Sequence, residues 1–156
     1  MKRLFILGFP GLYGGAGTEL HHQIILWAGQ LIDIELRIIP TMDGYENEPL
    51  YQEMLDLGIR IEHKLDFSEV TDKDAVINFC SRVFWEALPT IYEKTQRIAW
   101  VNCMTYVFDA EKDMAQRDMV SHFLYQRQEV LEDHQEILTK LGARGKFMLF
   151  KPYFNN

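Results

Sequence analysis

Positive charge, cysteine and long apolar runs are all scarce in this chain, and each shortage excludes something. Lys and Arg number 16 against 23 Asp and Glu, a net charge of −7. No basic run offsets that balance, so an electrostatic grip on nucleic acid or an anionic membrane is excluded. The two cysteines, Cys80 and Cys103, lie far apart, each at the end of an apparent buried strand. They read as small buried hydrophobes rather than as a disulfide or a thiol nucleophile. No stretch approaches the ~18 apolar residues of a membrane span. Residues 1–9 are too short, and too soon broken by Pro10, for a signal peptide. The expectation is a cytoplasmic protein.

Chemical signatures are missing too. There is no Gly-x-Ser-x-Gly elbow and no Gly-Lys-Ser/Thr, which removes elbow hydrolases and the phosphate loop of ATPases. The five histidines include no pair at i, i+3 or i+4, so no helical metal set is expected. His134 reads as a hydrogen-bonded structural residue at the core edge. His21 or His22, one turn into the first helix, is a candidate to face a ligand. Glu129, Glu132, Asp133 and Glu136 read as the solvated side of a helix.

What is present is apolar patterning, at 47% hydrophobic residues over 156 positions. That suits one domain with a sizeable core. Residues 4–9 are an apolar run, expected to be a strand buried on both faces. Gly11, Gly14, Gly15 and Gly17 follow, and then Leu20, Ile24, Trp27, Ala28 and Leu31 at helical spacing. Strand, glycine turn and helix N-terminus in that order allow main-chain N–H groups to approach an anion closely. Glycines that merely shape a tight turn are the alternative, but four within seven residues exceed what a turn requires.

Further strands are expected at 34–39, 59–62, 75–79, 97–102, 119–125 and 146–150. Helices are expected around Leu50, Met54 and Leu57, capped by Gly58; around Phe84, Leu88, Ile91 and Tyr92, starting late or kinked at Pro89; over 109–117; and around Val130, His134, Ile137, Leu138 and Leu141, ended by Gly142. Residues 66–72 read as a polar loop. Alternation from end to end predicts α/β architecture, a doubly wound, mostly parallel Rossmann-like sheet with helices on both faces.

In such sheets ligands lie beyond the C-terminal strand ends. Candidate binding residues on that rim are Gly14, Gly15, Gly17 and Thr18, with Tyr13 to stack on a ring. Arg82 could contact an anion, and Asn102 and Thr105 could bond hydroxyls. The dinucleotide fingerprint is incomplete, because Thr18-Glu19-Leu20 follows Gly15-Ala16-Gly17 without the third glycine. The second strand ends Ile39-Pro40-Thr41 with no acid to hold a ribose. No catalytic residue is singled out.

The opening strand with Gly14-Gly15-Ala16-Gly17-Thr18-Glu19, the stretch 118–131 and the run 147–155 together resemble the N-terminal domain of a GT-B glycosyltransferase of the family 4 type. The resemblance implies a Rossmann-like N-terminal domain over 1–150, with 151–156 starting an interdomain linker or C-terminal tail. It implies retaining, metal-independent transfer from a nucleotide sugar, which serves as co-substrate with no other cofactor, to a sugar-containing acceptor. Gly-Gly-x-x loops of that family meet the donor diphosphate or the acceptor. The family's C-terminal domain grips the nucleotide, so half of the cleft would come from a separate donor-binding domain or be masked by self-association. Gln126-Arg127 stands where the family usually has a serine, and Cys80-Ser81 and Asn102-Cys103 where it often has a histidine. A non-catalytic nucleotide- or sugar-binding module is the alternative, followed by a nucleotide-dependent oxidoreductase.

Overall fold

The computed structural model describes residues 2–151. Strands β1 (Lys2–Leu7), β2 (Ile34–Ile39), β3 (Arg60–Ile61), β4 (Ala75–Phe79), β5 (Ile98–Asn102), β6 (His122–Tyr125) and β7 (Lys146–Leu149) alternate with helices. These are α1 (Gly15–Gln30), α2 (Tyr51–Asp56), α3 (Val83–Lys94), α4 (Asp109–Ala115) and α5 (Gln128–Leu141). The strands form a 7-stranded sheet in the order β3-β2-β1-β4-β5-β6-β7, and every pairing is parallel. This is the Rossmann-like α/β architecture that the alternation predicts. Strand order reverses between β1 and β4, which sets the switch point there.

Parallel strands covered on both faces need apolar residues at successive positions. In β1, Phe5 and Leu7 belong to one apolar layer and Ile6 to the other. The first layer packs Val76, Trp100, Phe123 and Tyr125 under Phe84, Trp85, Leu88 and Ile91 of α3, Ala115 of α4 and Leu131 and Leu138 of α5. The second packs Leu36, Ile38, Ile77 and Phe79 under Leu20 and Ile24 of α1 and Met54 of α2. Because strand side chains alternate, the two layers lie on opposite faces of the sheet.

The departures from expectation have local causes. β1 ends at Leu7 because Gly8 turns to φ +136°, although its N–H still bonds Ile39 O at 3.1 Å. Helix α3 starts at Val83 and runs through Pro89, so the late start does not occur. Its buried apolar face holds it together, although Pro89 offers no N–H to the Trp85 carbonyl. Residues 66–72 are not purely a polar loop, since Phe67 and Val70 are buried in the α3-side layer. Leu57 and Ile137, expected on apolar faces, are each 40% exposed. Gly58 (φ +81°) and Gly142 (φ +120°) end their helices as expected. Residues 152–156, including most of the expected linker and the end of the run 147–155, lie outside the described residues. No helix among the described residues is long and apolar enough to cross a membrane.

Candidate functional site

The rim at the switch point is built first from the turn between β1 and α1. Gly14, at φ +87°, is the N-cap of α1, a conformation that side chains other than glycine rarely adopt. The Gly11 N–H donates to Gly17 O at 3.0 Å, and the Thr18 N–H donates to Gly14 O at 3.3 Å. A Cβ on Gly17 would stand 3.3 Å from Gly11 N, so any side chain here would press on the backbone of the turn. Around Gly14 and Gly15 nothing lies within 4 Å of such a Cβ. The turn therefore has a closed base at residues 11 and 17 and an open crown at residues 12–15, all four exposed. No side chain caps α1 and no acidic residue stands in its first turn. Its leading N–H groups and positive dipole end are thus unopposed.

The other candidates divide. Tyr13 is 87% exposed, and Thr18 is half-buried against the turn. Arg82 is exposed but engaged, donating to Tyr106 Oη at 2.8 Å with its guanidinium 4.4 Å from the Phe108 ring centroid. Asn102 is buried and bonded to its own loop, giving to Met104 O at 2.6 Å and accepting from Met104 N–H at 3.2 Å. Its amide orders residues 102–104 instead of standing free for a hydroxyl. Thr105 is exposed, and its carbonyl accepts from His134 Nε2–H at 3.3 Å. His134 is buried as a structural histidine, and burial lowers its pKa. His21 points away from the glycine turn to Glu53 Oε2, 3.0 Å away on α2. Glu129, Glu132, Asp133 and Glu136 are exposed, as a solvated helix side requires.

Two features escaped the sequence reading. Cys103 is exposed instead of buried, while Cys80 is half-buried against the α1-side apolar layer, and both are free thiols. They follow the neighbouring, parallel-paired strands β4 and β5. The available signal was a cysteine at the C-terminal end of each of two strands that a parallel sheet can set side by side. Above them Gln126 Nε2 donates to Glu19 Oε2 at 2.7 Å, joining the end of β6 to α1.

The second feature is a buried polar group beneath the rim. Glu111 on α4 accepts from Phe108 N–H at 3.3 Å through Oε1, while Oε2 has no partner among the described residues. Burial pushes its carboxyl up to about 7, only partly opposed by the bond from Phe108. The Tyr125 hydroxyl is buried and without a partner as well, and burial raises its pKa, with Glu111 adding to the shift. Nothing in the local sequence of α4 marks Glu111 as buried.

Hollows are distributed against simple expectation. One of about 510 Å³ is lined by Asp72, Tyr92, Lys94, Thr95 and Arg97 at the opposite rim. On the switch-point side a space of about 60 Å³ lies between Asn102, Cys103, Thr105, Gln126 and Arg127. We favour the C-terminal rim because helix N-termini meet strand ends there, whereas helix C-termini present carbonyls at the other. Among the described residues no group of three His, Cys, Asp or Glu could hold a metal.

No family model, curated protein or solved structure matches the chain. Function therefore rests on the rim itself. What it offers chemically is an exposed crown of glycine backbone, an uncapped helix start and a pair of thiols.

Proposed function

We propose that the chain is the acceptor-side lobe of a GT-B-type glycosyltransferase, holding an anionic or hydroxyl-rich part of a nucleotide sugar or its acceptor over residues 12–18. The supporting observation is the open crown of the glycine turn beside the switch point, at a helix start with neither cap nor first-turn acid. Backbone amides there would stabilise phosphate charge, and their fixed geometry would supply positioning rather than acid–base chemistry. Tyr13 is free to stack on a ring, and Gly14 and Gly15 leave room for close approach. A space of only about 60 Å³ at this rim means that a nucleotide sugar would lie on the lobe and need a second wall to cover it.

The test is amide chemical-shift mapping of the isotopically labelled chain with UDP-, GDP- and dTDP-sugars. Shifts concentrated on residues 11–18, lost in Gly15→Asp, are expected. Unmoved amides with every donor would end the proposal. Transfer itself is to be assayed with the chain alone and with a donor-binding lobe supplied in trans.

A further inference from the structure

The two thiols lie outside the glycine-turn proposal and raise a separate question. β4 and β5 pair in parallel, with Phe79 level with Val101, and the Cys80 N–H extends the ladder to Val101 O at 3.2 Å. Cys80 is therefore level with Asn102, one position short of Cys103. Strands about 4.8 Å apart and a rise of about 3.3 Å per residue place such Cα atoms inside the window of about 4.4–6.8 Å that a disulfide spans. Cys80 adopts φ +67°, where the extended strand gives way to the turn before α3. Cys103 sits in the turn that Asn102 ties to Met104 and forms part of the wall of the small rim space.

The two sulfurs are not equivalent. Cys103 is exposed and Cys80 half-buried, so a negative charge on sulfur is better solvated at Cys103. The neighbouring Cys80 thiol lowers the Cys103 pKa, against the opposing effects of burial and the Glu19 carboxylate. The Cys80 pKa is raised by the neighbouring Cys103 and by burial. An accessible thiol that ionises more readily than its half-buried neighbour is the arrangement of an attacking and a resolving thiol.

We infer that Cys80 and Cys103 form a dithiol–disulfide couple at the switch-point rim, with Cys103 attacking and Cys80 resolving. The oxidant is a low-molecular-weight disulfide such as oxidised glutathione. The Cys103 thiolate attacks one of its sulfurs, the glutathione S–S bond breaks, and one glutathione leaves as thiolate. Cys80 loses its proton to solvent and attacks the Cys103 sulfur of the mixed disulfide. The second glutathione leaves, so two protein thiols become one S–S bond and two glutathione molecules are released in reduced form. The bond would pin the end of β4 to the 102–104 turn and fix one wall of the rim space.

The experiment is intact-mass analysis and thiol counting of the native chain in glutathione redox buffers, with peptide mapping of the product. Loss of two hydrogens, a thiol count falling to zero, and a Cys80–Cys103 linked peptide from a monomer are expected. Cys80→Ser should accumulate one glutathione on Cys103. Cys103→Ser should react roughly tenfold more slowly, since its remaining thiol, Cys80, is half-buried and harder to ionise. Separate glutathione adducts on both residues of the unsubstituted chain, cross-linked dimers, or thiols that react only in denaturant would each overturn the inference. The measurement on the unsubstituted chain decides the matter even if a serine variant fails to fold.

Discussion

At the N-terminal ends of the strands, polar side chains are spent on one another. Arg3 reaches Asp74 through two bonds of 3.2 and 3.0 Å and Glu69 O through a third, of 2.6 Å. Asp74 also accepts from the Thr71 N–H and hydroxyl at 2.8 and 3.0 Å, and its carbonyl accepts from Thr95 at 2.7 Å. Arg97 closes on Asp72 O, and Ser121 bonds both N–H and C=O of Ile98. At the C-terminal ends the glycine turn is open, α1 is uncapped, and a thiol is exposed. One rim is welded by charge and hydrogen bonds; at the other Arg82, Asn102 and Gln126 are engaged, and what stays open is the main chain of the glycine turn. Stability concentrated at one end can tolerate strained or unsatisfied groups at the other.

The strongest way to break that contrast is to open the weld. The Asp74 side chain is 1% exposed, and removing one partner of a buried pair costs about 3–5 kcal/mol. Asp74→Ala should lower unfolding free energy by that order in urea titrations at pH 7. The effect is pH-dependent. Burial alone would raise the Asp74 carboxyl, but the Arg3 and Thr71 bonds outweigh it and hold its pKa below the ordinary value. The stabilisation is complete above the unfolded pKa of about 3.9 and is lost as pH falls through the folded value. The gap between the native chain and Asp74→Ala should therefore close below about pH 4. A gap that persists undiminished in acid would remove the ion pair as its cause.

Glu111 sharpens the contrast from the other side, because it is a destabilising charge lodged under the working rim. Its pKa in the folded chain is about 7, above the ordinary value, so folding favours the protonated form. Stability is greatest below pH ~4.3 and declines as pH rises, levelling off above the folded value. Glu111→Gln keeps an acceptor for the Phe108 N–H and removes the charge. It should stabilise the fold by about 1–3 kcal/mol at pH 8 and by much less at pH 4. Thermal melts at the two pH values check this, and an equal change at both would exclude ionisation as the cause.

How much of this was legible follows from which interactions are local. The strands at 34–39 and 75–79 have their observed bounds as expected, because apolar runs between turn residues encode them directly. Gly58 and Gly142 were equally readable, since a left-handed cap is a property of a few adjacent residues. Pro89 does not delay the start of α3, because tertiary burial of its apolar face holds the first turns of the helix. The pairing of Cys80 with Cys103, the capture of Asn102 by Met104 and the isolation of Glu111 depend on which strands and helices become neighbours, and single-sequence periodicity carries no such information. His21 went to Glu53 for the same reason: its partner is 32 residues away in the chain.

The smallest predicted effect is also the one that tests the glycine turn most directly. Gly15 opens α1 at an ordinary φ, and nothing would meet its Cβ within 4 Å. Alanine there restricts the unfolded chain and suits a helix, so Gly15→Ala should stabilise by about 0.4–1 kcal/mol. Gly17→Ala has a similar helical benefit, but its Cβ would press on Gly11 N at 3.3 Å and Gly11 Cα at 3.4 Å. Those contacts are backbone and cannot rotate aside, so the turn must shift and the gain should vanish. Urea midpoints of the two variants measure the difference. If the crown receives a ligand, Gly15→Ala should bind nucleotide sugars more weakly while being the more stable protein, since a methyl group then occupies the approach to the helix start. A chain stabilised by alanine at residue 15 with unaltered affinity would show that the bare backbone there does no more than make a turn.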